Sequence, residues 1–130
     1  MTRRLPLLAL LMACEAALAQ SPEPALRCTL TKTDFVYDCV VALSRAGQPL
    51  RAARFTVAAD MPSMPGAHSI VPARARPGRV AGEYRLTLDL EMLGEWALEF
   101  RFTRPSTRTV RQRYEFSEAG ATRSGTPPRN

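Results

Sequence analysis

Apolar and polar residues alternate strictly along two consecutive stretches late in the chain. Tyr84, Leu86, Leu88 and Leu90 alternate with Arg85, Thr87, Asp89 and Glu91. After Met92-Leu93-Gly94, Trp96, Leu98, Phe100 and Phe102 alternate with Ala97, Glu99, Arg101 and Thr103. A period of two puts one apolar face on each stretch, which a strand can bury and a helix cannot. The same period recurs at Leu26, Cys28 and Leu30, at Tyr37, Cys39, Val41 and Leu43, at Phe55 and Val57, and at Tyr114 and Phe116. A poorly patterned stretch at 67–75 contains Pro72 and reads as an edge strand. Turn-forming clusters separate them, at Ser44-Arg45-Ala46-Gly47-Gln48-Pro49, Arg76-Pro77-Gly78 and Arg104-Pro105-Ser106. Seven short strands in one small domain predict an all-β fold, an immunoglobulin-like antiparallel β-sandwich.

The ends of the chain read differently. Arg3 and Arg4 followed by an apolar run through Cys14 and by Ala17-Leu18-Ala19 form a secretory leader over residues 1–19, with Gln20 as the mature start. That run is too short to span a bilayer, so no transmembrane segment is expected in the mature chain. Leu11-Met12-Ala13-Cys14 also resembles a lipoprotein box, which would instead leave Cys14 lipidated. Residues 20–25 read as an extended lead-in, 26–117 as the sandwich and 118–130 as a disordered tail. The expected compartment is therefore periplasmic or extracellular, and there an even pair of cysteines favours a disulfide. A hairpin loop centred on Thr33-Asp34 places Cys28 directly opposite Cys39, at a non-hydrogen-bonded pair where side chains come closest.

Charge excludes little. The chain carries +6 over 130 residues, and removing Arg3, Arg4 and Glu15 with the leader leaves +5. The arginines are dispersed, with no basic block or interleaved aromatics, so a nucleic-acid partner is not expected. Nor is an enzyme expected. No serine or cysteine has a convincing base beside it, and no carboxylate pair has a recognisable spacing.

The functional clue lies in the methionines. Of five, Met1 and Met12 belong to the leader, and the other three sit in turns. Met61 and Met64 lie in Asp60-Met61-Pro62-Ser63-Met64-Pro65-Gly66-Ala67-His68, which also holds the one histidine, and Met92 lies in Glu91-Met92-Leu93-Gly94. Methionine serving as core filler belongs in strand interiors instead. Successive turns of a sandwich alternate between its two ends, so the Thr33-Asp34, Met61–Met64 and Met92 turns should share one pole. Thioethers there, with an imidazole, suit Cu(I). The competing reading is that the methionines cap the open end of the sandwich as flexible apolar filler.

Asp60-Met61-Pro62-Ser63-Met64, then His68, Gly82-Glu83-Tyr84 and Met92-Leu93-Gly94-Glu95-Trp96 together resemble the YtkA-like/FixH-like family of extracytoplasmic β-sandwich domains. The resemblance runs from about Gly47 to Phe102. It implies a link to copper handling or to assembly of copper-containing respiratory oxidases, with Met61, Met64, His68 and Met92 as metal ligands. Pro65-Gly66-Ala67 sets His68 further from Met64 than the family's near-adjacent spacing. Two functions follow as expectations. One is an exported Cu(I) carrier, buffer or delivery factor; the other is a metal-free module that docks on a membrane transporter or an oxidase assembly.

Overall fold

A computed structural model describes residues 20–125. Ten strands run in chain order: β1 (Glu23–Leu30), β2 (Val36–Arg45), β3 (Gln48–Pro49), β4 (Arg54–Asp60), β5 (Ala73–Arg74), β6 (Arg76–Pro77), β7 (Glu83–Asp89), β8 (Gly94–Arg104), β9 (Arg108–Ser117) and β10 (Gly120–Arg123). They form two antiparallel sheets, β1-β2-β7-β6 with β3 on β2, and β10-β9-β8-β4-β5. The described residues contain no helix. The all-β sandwich read from the alternation is the observed architecture.

The apolar phase of each long strand points between the sheets. Tyr37, Val41, Leu88, Val57, Trp96, Leu98 and Phe100 are fully buried, while Arg85, Arg101 and Arg113 face outward. Rings tie the layers together edge to face, Phe55 on Tyr84 at 5.2 Å and Tyr37 on Phe116 at 5.1 Å. Buried polar groups are paired. The Tyr84 hydroxyl donates to Leu50 O and accepts from Ala53 N, and Gln112 Nε2 donates to Pro24 O. None of the buried side-chain nitrogen or oxygen atoms among the described residues lacks a partner.

The first hairpin has the register expected of it. Leu30 faces Tyr37 and Cys28 faces Cys39, whose Cα atoms lie 4.1 Å apart in a disulfide. Thr31 N donates to Val36 O at 2.9 Å, which makes Cys28–Cys39 a non-hydrogen-bonded pair by alternation.

Four segments differ from the expectation. β1 begins at Glu23, inside the stretch read as a lead-in, because its ladder with β2 runs from Leu30 opposite Tyr37 back to Glu23 opposite Ser44. Ala46 and Gly47 both take positive φ, 51° and 74°, so the turn after β2 folds back as the short strand β3. The edge strand expected at 67–75 is a loop with one brief pairing, β5 with β4, and just beyond it β6 pairs as briefly with β7. Prolines at 72 and 77 remove donors that a longer ladder needs. This segment still crosses the domain once, passing from one sheet to the other.

The tail read as disordered from 118 contains β10, paired with β9. Gly120 explains why it fits. Its φ is +120°, and a Cβ there would lie 2.6 Å from the Cys28 carbonyl oxygen, so only glycine lets β10 close over the edge of β1. The stretch read as a leader, 1–19 with Met1, Met12 and Cys14, and the last five residues of the stretch read as a tail lie outside the described residues. Among the described residues, no helix is long and apolar enough to cross a membrane.

Candidate metal-binding pole

Three connections meet at one end of the sandwich. Leu90 N donates to Phe35 O at 2.9 Å, joining the Met92 turn to the first hairpin. A Cβ on Gly94 would lie 3.4 Å from Met61 Cε, so the methionine loop leans on the backbone where β8 begins. His68 Nδ1 bonds Glu91 Oε2, linking the far end of that loop to the residue before Met92. The shared pole argued from alternating turns is thus seen among the loops themselves. It survives the loss of the regular strand at 67–75 because that segment still spans the domain.

The methionine loop is built from two successive tight turns. Met64 N donates to Met61 O and Ala67 N to Met64 O, each at 3.1 Å. Asp60 Oδ1 accepts from Gly66 N at 3.3 Å, and Gly66 takes φ +75°, a conformation costly for any residue with a side chain. The loop closes where Ile70 N donates to Ala59 O at 3.4 Å. The Met92 turn is held from below. Trp96, fully buried, donates its indole Nε1–H to Met92 O at 3.1 Å.

The candidate ligands sit at different depths. Met61 is 4% exposed and belongs to the core, Met92 is half-buried against it, and Met64 is 38% exposed. His68 is half-buried. A carboxylate accepts only, so His68 Nδ1–H donates to Glu91, and Nε2 is the ring nitrogen that this bond leaves unengaged. Histidines that bind metals are commonly oriented by a carboxylate on the other ring nitrogen. Glu91 was not among the residues singled out from sequence, where it reads as one more outward position of its strand. The available signal was its place immediately before Met92 in a turn expected at the same pole as His68.

Among the described residues, no group of three or more His, Cys, Asp and Glu side chains is placed to hold a metal ion. Two tyrosines elsewhere have perturbed hydroxyls. Burial raises the pKa of Tyr37, helped by Glu118, and burial also raises that of Tyr114 against smaller opposing effects from the Leu26 backbone and Arg123.

The YtkA-like family model matches residues 15–101, about two thirds of the chain. The chain belongs to the YtkA-like family. In this YtkA-like protein the match takes in the disulfide hairpin, both methionine turns and most of β8, and it ends before β9 and β10. No curated protein and no solved structure matches the chain.

Proposed function

We propose that this YtkA-like protein is an exported Cu(I)-binding protein, a carrier, buffer or delivery factor that works by binding and not by catalysis. Met61, Met64, Met92 and His68 are its ligand set, and Glu91 holds the imidazole through Nδ1, which leaves Nε2 for the metal. The observation that carries this reading is the meeting of the two methionine turns, where Met61 lies against Gly94 and His68 bonds Glu91. Soft, uncharged sulfur donors favour a monovalent soft ion over Zn(II) or hard cations. Thioethers take no proton near neutral pH, so the sulfur part of the site keeps its donors in mild acid. Copper is cargo here, taken up at an accessible rim and passed on by ligand exchange.

A second reading draws on the same pole. Met64 and Leu93 are both exposed there, and they would give a metal-free docking surface for a membrane transporter or an oxidase assembly. Titration of the exported chain with Cu(I) against a competing chelator separates the two. One tightly held equivalent, lost when Met61→Leu, Met64→Leu and Met92→Leu are combined, supports the carrier. No stoichiometric binding by the unaltered chain would leave only the docking surface.

A further inference from the structure

β9 is longer than the strand that covers it. β10 pairs with β9 only at residues 114–117, and the ladder ends where Ser124 N donates to Arg113 O at 2.9 Å. Backbone groups alternate sides along a strand. Arg111 and Thr109 therefore direct their N–H and C=O the same way as Arg113, to an edge that no described strand occupies. Where β10 stops, Arg111, Arg113, Arg123 and Ser124 surround a notch of about 260 Å³. Arg111 and Arg113 also line a groove of about 630 Å³ on the outer face of the sheet. Ala58 and Ala97 line that groove, and so do Pro62 and Ser69 of the methionine loop.

We infer that the uncovered edge of β9 at Thr109 and Arg111 takes an extended acidic segment of a partner protein by strand addition, with Arg111, Arg113 and Arg123 facing its carboxylates. Strand addition draws affinity from main-chain hydrogen bonds and specificity from the flanking side chains. The flanking cations are only loosely engaged within the chain. Glu99 is shared between Arg101 at 3.6 Å and Arg111 at 3.5 Å, while Arg113 reaches Glu95 at 3.7 Å. Such exposed pairs contribute little and exchange readily for better-placed partners.

Two other occupants fit poorly. A second copy aligned edge to edge would set arginine against arginine, the arrangement that charged edges discourage. The chain's own last residues, Thr126-Pro127-Pro128-Arg129-Asn130, bring two prolines without donors and another cation. The inference does not rest on copper binding, and the edge lies beyond residue 101, where the family match ends.

The test is nuclear magnetic resonance titration of the exported chain with the peptide acetyl-Glu-Val-Glu-Val-Glu-Val-amide and with its Lys-Val counterpart. The expected result is a shift of the Thr109 and Arg111 amides, slower hydrogen exchange at both, and no response to the lysine peptide. Thr109→Pro removes an edge donor that β8 does not use, so the sandwich should keep its stability while binding weakens at least tenfold. The combined Arg111→Glu and Arg113→Glu variant should lose the acidic peptide. Equal binding of both peptides, shifts confined to the β1-β2-β7 sheet, or undiminished binding by Thr109→Pro would each overturn strand addition.

Discussion

Reducing the disulfide perturbs the fold with almost no change in side-chain volume. Cys28 and Cys39 are separated by 11 positions and already face each other across a ladder, so the native sheet keeps its register with two thiols in place. The effect should fall mainly on the unfolded chain, which regains the freedom of a short closed loop. For a loop of this length the chain-entropy relation gives about 3 kcal/mol at room temperature. With a urea dependence of about 1–1.5 kcal/mol per molar for a small domain, the midpoint should drop by about 2–3 M. Urea unfolding of the oxidised and reduced protein, followed by Trp96 fluorescence, reads this directly. Midpoints that agree within about 0.5 M would refute the reasoning, because an oxidised Cys28–Cys39 pair could not then be constraining the unfolded ensemble.

Three further outcomes follow from burial and geometry. Met61→Leu should cost less than about 1.5 kcal/mol in urea unfolding and Met61→Ala about 2–5 kcal/mol, since Met61 packs in the core; equal small costs would mean that its side chain is not enclosed. Gly120→Ala should destabilise by at least about 2 kcal/mol, from strain at positive φ and the approach to the Cys28 carbonyl; an unaltered urea midpoint would refute the packing of β10 over β1. Stability should fall as pH climbs through the ordinary tyrosine value of 10.0. Above it the unfolded chain releases phenolic protons that folded Tyr37 and Tyr114 retain, and the loss levels off once their raised values are passed. Tyr114→Phe should flatten that decline, and an unchanged slope would exclude Tyr114 as a source.

Much of the sandwich was legible because its long strands obey one rule. Tyr84 to Leu90 and Trp96 to Phe102 show their buried phase without help, and counting residues about Thr33-Asp34 fixes the register of the first hairpin. The methionine pole was legible for a topological reason, since turns alternate between ends whatever the detailed pairing of the strands. What stayed hidden depends on contacts distant in sequence. β10 has the composition of a solvated tail, and only the approach of Gly120 to Cys28 shows why it folds back. The segment at 67–77 divides its pairing between two sheets, which no local periodicity records. Glu91 alternates like a surface residue and acquires its role only when the loop carrying His68 arrives beside it.

The two sides of the pole are fastened by different means. The Met92 turn hangs from the indole of Trp96, whereas the loop carrying Met61, Met64 and His68 is held by its own tight turns, by the Asp60 cap, by Met61 in the core and by His68 on Glu91. One jaw thus takes its hold from the frame beneath it, and the other is clasped at both its ends. Trp96→Phe would keep an aromatic ring in the frame while removing the donor to Met92 O, so a substitution beneath the surface should shift the Met92 turn at the rim.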